Sequence, residues 1–161
     1  MMITAQLEMT AVCLSRYFCD ENELDQVYSS LSVLEAEYPN FKKWFYGKVV
    51  PELRFGTREI IVAYVSNQIA GILILKDSNE KKICTLRVMP DFQHMGIGHA
   101  FMDFAINKLN CKHPLITVSD SHVSEFSNLF NEYGFVQTEV LPNYYVNGHS
   151  EYCFNGYLTE G

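Results

Sequence analysis

Three apolar runs follow one another between residues 59 and 88, joined by turns too short to hold a helix. They are Glu59 to Val65 (EIIVAYV), Gln68 to Lys76 (QIAGILILK) and Lys81 to Val88 (KKICTLRV). Ser66-Asn67 and Asp77-Ser78-Asn79-Glu80 separate them. A parallel pairing needs a crossover of about a dozen residues or more, so these runs predict an antiparallel meander. The period then changes. After Met89-Pro90-Asp91-Phe92 comes a glycine pair, Gly96 and Gly98, and Ile97, Phe101, Phe104, Ala105, Lys108 and Leu109 recur at helical spacing. A meander that feeds a helix without an intervening linker confines the chain to a mixed fold.

The flanks fit the same frame. A first strand is expected within residues 1–20. Asp20 is placed to cap a helix carrying Leu24, Val27, Tyr28, Leu31 and Leu34, with Glu21, Glu23 and Asp25 at its positive end. Tyr38-Pro39-Asn40 ends it. A second helical segment runs from Phe41 to about Val50, where Pro51 is expected to interrupt it. Leu115 to Ser119 reads as a buried strand and Val123 to Tyr133 as an amphipathic helix, with Gly134 at its C-terminal cap. Asp120 or Ser121 is expected to cap that helix at its start. Phe135 to Val140 and Glu151 to Tyr157 complete the strands. The expected architecture is one α/β (α+β) domain over residues 1–161, a mixed, mostly antiparallel central sheet flanked by helices.

Composition narrows the function. The 161 residues carry 12 basic and 19 acidic side chains, a formal net charge of −7. Nucleic-acid footprints are basic, so a general polyphosphate binder is disfavoured. Lys42, Lys43, Lys48, Arg54 and Arg58 do concentrate in one segment. The acidity suits a cationic substrate such as an amine. The five cysteines, Cys13, Cys19, Cys84, Cys111 and Cys153, show no C-x-x-C spacing, which fits a reducing cytoplasm better than a disulfide framework or zinc. The five histidines are dispersed, and no metal is expected. Met1 to Cys19 lacks the pattern of a secretory leader, and no run approaches the ~20 apolar residues of a membrane span.

The segment Leu86-Arg87-Val88-Met89-Pro90-Asp91-Phe92-Gln93-His94-Met95-Gly96-Ile97-Gly98-His99 carries the chemistry. A strand, a short loop and a helix start with two glycines aim unpaired N–H groups from about His94 to His99 at one spot. The helix dipole adds positive charge there. Such a nest holds phosphate without Lys or Arg. An ordinary helix start with two turn glycines remains open on pattern alone. A P-loop is excluded, because no Gly-Lys-Ser/Thr follows.

Gln93-x-x-Gly96-x-Gly98, preceded by Leu86-Arg87-Val88-Met89-Pro90, resembles the acetyl-CoA pyrophosphate signature of the GNAT superfamily N-acetyltransferases. Asn131-Glu132-Tyr133-Gly134-Phe135 resembles the family's helix ending in a Gly-Phe pair. The likeness covers residues 59–157, and Pro90-Asp91-Phe92-Gln93 with Asn143-Tyr144-Tyr145 is similar to ribosomal-protein N-terminal acetyltransferases. The resemblance implies direct attack of a primary amine, on a small molecule or a protein, on acetyl-CoA in a ternary complex. The cofactor core would be about residues 59–139, with acceptor elements at about 20–58 and 140–157.

In that family the backbone of Leu86, Arg87 and Val88 would pair with the pantetheine arm, with the Val88 N–H facing the thioester oxygen. Amides of Gln93, His94, Met95, Gly96, Ile97, Gly98 and His99 would hold the pyrophosphate. Arg87 could equally point away and solubilise its strand. Cys84-Thr85 stands where many members carry a Glu, so the base is open: Asp120 comes first and Glu125 next. Phe130 stands where members carry a Tyr acid, which leaves Tyr144 and Tyr145 as candidates. Those departures keep a second reading, a catalytically weak acyl-CoA-binding module. A toxin-like enzyme acting on charged transfer RNA is a minor third, and a homodimer is left open.

Overall fold

The computed structural model of the protein describes residues 9–14 and 20–158. Among these residues seven strands form one sheet: β1 (Met9–Leu14), β2 (Arg58–Val65), β3 (Gln68–Asp77), β4 (Lys81–Val88), β5 (Leu115–Ser119), β6 (Gln137–Pro142) and β7 (Ser150–Phe154). Their spatial order is β1-β2-β3-β4-β5-β7-β6. Every neighbouring pair is antiparallel except β4 and β5. The meander of β2, β3 and β4 is as its short turns require, and its first turn places Ser66 and Asn67 at positive φ. Of the cysteines, Cys19 and the Cys13 side chain lie outside the described residues. Cys84, Cys111 and Cys153 are free thiols.

Helices cover both faces of the sheet. On one face lie α1 (Glu21–Leu31), α2 (Phe41–Trp44) and α3 (Val50–Leu53); on the other lie α4 (Ile97–Leu109) and α5 (Val123–Glu132). The strands therefore bury both sides, and two apolar clusters result. Ile60, Val62, Ile72 and Ile74 pack with Leu24, Val27, Leu31, Phe41 and Phe45. Ile61, Leu73, Ile83, Leu86 and Val118 pack with Phe101, Met102, Ala105, Phe126 and Phe130. Alternate residues of one strand serve opposite cores, as the period of two demands.

Three local features depart from expectation. Pro51 does not break the second helix. Residues Phe45–Val49 form a π turn between α2 and α3, and Pro51 sits at the start of α3. A wider turn relieves the clash between a proline ring and the carbonyl four residues back. The N-cap of α5 is His122, with no side-chain cap bond, and not Asp120 or Ser121. The last two strands shift to Gln137–Pro142 and Ser150–Phe154 from the expected 135–140 and 151–157.

The Gly-Phe pair has a clear physical role. Gly134 is left-handed at φ +71°. Its N–H bonds to the Asn131 carbonyl at 3.2 Å, and the Phe135 N–H bonds to the Phe130 carbonyl at 2.9 Å. This is a Schellman termination, and the Phe130 and Phe135 rings make its apolar contact at 5.4 Å.

Candidate active site

The site begins with one weak seam in the sheet. The parallel pair β4 and β5 is bridged only at Lys82–Leu115 and Ile83–Ile116. Beyond Ile83 the strands part, and a cavity of about 650 Å³ fills the opening. Its walls come from both faces. Leu86, Val118 and Phe126 belong to the α4 and α5 side, whereas Tyr38, Phe41 and Trp44 belong to the α1 to α3 side.

A bulge in β4 sets what faces the opening. Thr85 pairs with Ile74, but Ile83 pairs with Leu75, so Cys84 is the extra residue. Leu86 and Val88 thereby pack on the α4 and α5 side. By alternation, Thr85 and Arg87 direct their side chains to the other face. The peptide groups follow from one ladder bond. The Met89 N–H donates to the Ala70 carbonyl at 2.8 Å, which makes 70/89 a hydrogen-bonded pair. Gly71–Val88 is therefore a non-bonded pair, and the N–H and C=O of Val88, like those of Leu86, point away from β3 toward the opening. Those of Arg87 are turned to β3. Of the three backbones expected to face a pantetheine arm, two are free to do so. Arg87 instead lends its side chain to the cavity wall.

The loop into α4 lies at the far end of β4. His94 and Gly96 both take positive φ, +65° and +85°. Gly96 is the N-cap of α4 and no side chain caps it. The Ala100 N–H bonds to the Gly96 carbonyl at 3.0 Å, which leaves the Ile97, Gly98 and His99 amides as the orphan donors of the first turn. A Cβ on Gly96 would meet nothing within 4 Å, so glycine is needed there for its conformation. A Cβ on Gly98 would press Leu129 Cδ2 at 3.3 Å, so its reason is the packing of α4 on α5. Gln93 Nε2 donates to Glu125 Oε1 at 3.1 Å, and the His99 ring is tied to Glu132 at 2.6 Å.

Behind the cavity wall on the α1 to α3 face, against the lining residues Tyr38 and Ser119, stands a carboxylate that the motifs of the sequence do not mark. Glu151, on β7 opposite Ser119 of β5, is only 2% exposed. The Tyr38 hydroxyl donates to its Oε1 at 3.0 Å. Burial lifts the Glu151 carboxyl to about 7, Glu37 and Asp120 push the same way, and the Tyr38 bond and Lys82 oppose. Burial and then Glu151 also raise the Tyr38 phenol far above its usual range, so it stays a donor. The available signal was parity: a glutamate sharing the inward register of Cys153 in a short strand.

Asp120 is differently placed. Its Oδ1 meets His149 Nδ1 at 2.9 Å, and its Oδ2 accepts from the Ser150 N–H at 2.9 Å. The His149 bond chiefly, and the Ser150 amide after it, hold its carboxyl below the usual range. Both oxygens are occupied, and Asp120 anchors the β6–β7 loop. Glu125 lines the cavity mouth but its oxygens accept from Gln93 and contact His122. The anchored loop carries Tyr144 and Tyr145, which both line the cavity. Tyr145 packs edge-on against Tyr38 at 5.0 Å, and burial followed by Glu151 raises its phenol. Tyr144 is exposed and packs edge-on against Tyr145 at 4.7 Å.

Phe130 is 1% exposed among Phe126, Phe135 and Phe154, so no proton donor stands at that point. Cys84 lines the cavity and accepts from Arg58 Nη1 at 3.1 Å. Burial outweighs that guanidinium and pushes the thiol up, which keeps it protonated and a poor nucleophile. Arg58 itself is 2% exposed and bonded to Glu52 at 2.7 Å, so the basic segment does not present it as a nucleic-acid contact. Among the described residues no group of His, Cys, Asp and Glu is arranged to hold a metal, and no helix is long and apolar enough to cross a membrane.

A sheet parted between two parallel strands, with free peptide groups on one lip and a bare helix start beyond it, is the fold of a CoA-dependent acetyltransferase. Residues 29–150 match the model of the acetyltransferase (GNAT) domain, and the chain belongs to that family. Solved structures carry the same fold. The ribosomal-protein-S18-alanine N-acetyltransferase of Escherichia coli superposes with a TM-score of 0.64 at 17% identity, over 92% of this chain and 100% of that one. Arabidopsis thaliana Naa50, solved with a bisubstrate analogue, gives 0.62 at 16%, over 89% and 96%. A GNAT family acetyltransferase from Elizabethkingia anophelis with acetyl-CoA bound gives 0.58 at 16%, over 91% and 95%. No curated protein sequence matches the chain.

Proposed function

We propose that the protein transfers the acetyl group of acetyl-CoA to a primary amine by direct attack in a ternary complex. The observation that carries this is the cavity that passes through the sheet, because it has a wall on each face. Cofactor and acceptor can then meet at the parted strands from opposite sides.

The residues fit acetyl-CoA. The Leu86 and Val88 peptide groups match an extended pantetheine arm, as an added strand would. The Ile97, Gly98 and His99 amides, with the loop from Gln93 through Met95 that turns at the left-handed His94 and Gly96, suit a pyrophosphate. Bound acetyl-CoA supplies an acyl group activated as a thioester. The Val88 N–H stabilises the carbonyl oxygen as it gains charge. Glu151 takes the proton that the amine nitrogen releases as the N–C bond forms, directly or through a water. A carboxyl near 7 is matched to that task at neutral pH. When the C–S bond breaks, the Tyr144 phenol gives the leaving sulfur a proton, while Tyr145 and Tyr38 shape the acceptor wall. Asp120 positions that loop. The free cysteines support a reducing, cytoplasmic setting.

The buried Phe130 favours a second reading, an acyl-CoA-binding module with feeble turnover. Liberated CoA, followed across a panel of amines, separates the two. Turnover that falls at least about a hundredfold in Glu151→Gln, with acetyl-CoA affinity kept, supports the enzyme. No CoA release above hydrolysis with any amine supports the module. In calorimetry, Gly96→Glu with Gly98→Glu should abolish acetyl-CoA binding, and undiminished affinity would sink the cofactor site.

A further inference from the structure

Arg87 is a cation of the cavity wall that no carboxylate among the described residues pairs with. Its side chain lines the cavity from the middle of the β4 lip, on the face shared with Tyr38 and Trp44. Its Nε is buried and has no hydrogen-bond partner. Among the described residues no carboxylate lies within ion-pair distance of its guanidinium. Of the other cations of the wall, Arg58 and Lys76 are paired with Glu52 and Glu80, and Lys82 acts by its charge on Glu151. A buried N–H left without a partner calls for a ligand, and a guanidinium calls for an anion.

The anion does not come from the cofactor's diphosphate by this geometry. The amides suited to it stand at the start of α4, and the residues of β4 that face the α4 side are Leu86 and Val88. Arg87 faces the acceptor side. Its height in the cleft follows from the strand registers. From the Ile83–Ile116 bridge, Arg87 is four residues along β4, one of them absorbed by the bulge. Ser119, the partner of Glu151, is three along β5. At about 3.3 Å per residue both stand roughly 10 Å beyond the bridge. Arg87 and Glu151 thus stand at one level on β4 and β7, with the opening and β5 between them, and Tyr38, Phe41, Trp44 and Tyr145 line the space with Arg87.

We propose that Arg87 is the anion receptor of the acceptor half of the cavity, so that the acceptor is a small amino acid-like molecule, a primary amine that also carries a carboxylate on an apolar body. This rests on the acetyltransferase reading above. Glu151 serves the amine end and Arg87 the carboxylate end, where the planar guanidinium can offer two parallel N–H groups. A monoanionic carboxylate fits better than a dianionic phosphate, because Glu37 and Glu125 line the same space and Glu151 stands behind Tyr38.

The test measures binding to the CoA-saturated protein, which does not depend on turnover. The probes are L-phenylalanine, L-leucine and L-methionine, each beside its carboxamide, titrated by calorimetry into wild type, Arg87→Met and Arg87→Lys. The amide's amine is the more acidic, so the diagnostic is the change in the acid-to-amide ratio between proteins. At least one acid should bind wild type tenfold or more tighter than its amide. Arg87→Met should cut that preference by about tenfold to a hundredfold, and Arg87→Lys should keep part of it. CoA affinity should stay within twofold in both variants. The proposal is overturned if no acid is preferred in wild type, if the preference survives in Arg87→Met, or if Arg87→Met weakens CoA instead. Failure of the acetyltransferase reading is told apart by the same samples given acetyl-CoA: an acid that binds through Arg87 yet releases no CoA removes the transfer and leaves the receptor.

Discussion

Glu151 holds its proton into the neutral range because almost none of it meets water, and desolvation penalises its charged form more than Tyr38 and Lys82 favour it. A base must be unprotonated to act, so kcat/KM should fall as pH drops through about 7. In Glu151→Gln that limb should vanish, leaving only the titration of the amine itself, and kcat should fall by about a hundredfold or more. The same burial has a sign in stability. The folded carboxyl binds its proton more tightly than the unfolded one, so wild type loses stability as pH rises from the unfolded value toward about 7. Glu151→Gln carries no such penalty. Its melting temperature, relative to wild type, should therefore gain several degrees between pH 5 and pH 8. A variant that loses ground over that interval would contradict the assigned direction. None of this was legible from residue type alone. Asp120 follows a strand in the place of a base, yet its two bonds make it an anchor, whereas Glu151 is told only by its parity within a strand whose ends carry no local signal.

At the scale of elements, the two signature glycines serve different ends, and this separates their variants. Gly96 needs φ +85° at a helix start that has no other cap. Gly96→Val should strain the loop and weaken acetyl-CoA binding at least tenfold in calorimetry. Gly134 needs φ +71° to end α5, whose last residue Glu132 and C-cap Tyr133 meet His99 by its ring and its carbonyl and not by its amide. Gly134→Ala should cost about 1–2 kcal/mol in urea unfolding and leave acetyl-CoA affinity within twofold. The central elements were legible because their causes are local: alternating apolar runs, short turns, glycine punctuation. The bulge at Cys84 was not, because it arises from pairing with β3 and leaves no mark on the strand's own pattern. The π turn before Pro51 was missed for a related reason. Proline forbids a regular helix around it, but only packing of Phe45 and Val49 into the core decides that the chain continues.

For the whole molecule, the acidic balance and the anion site are compatible because the site uses peptide groups and a helix start. The cofactor half is built from the meander and its helix, which the sequence displays. The acceptor half depends on long-range meetings, Tyr38 with Glu151 and Tyr145 with Tyr38, between segments that carry no shared pattern. Ligand should hold the two halves together, and acetyl-CoA at a hundred times its Kd should stabilise the fold by about 2.7 kcal/mol. Where the thioester lies is tested most directly by residue-resolved amide hydrogen exchange with and without acetyl-CoA. Protection should rise at Leu86 and Val88 and at Ile97, Gly98 and His99, while Arg87 and Met89, whose amides already bond to β3, should change little. Unchanged exchange at Leu86 and Val88 under saturating acetyl-CoA would contradict the placement of the cofactor between β4 and β5.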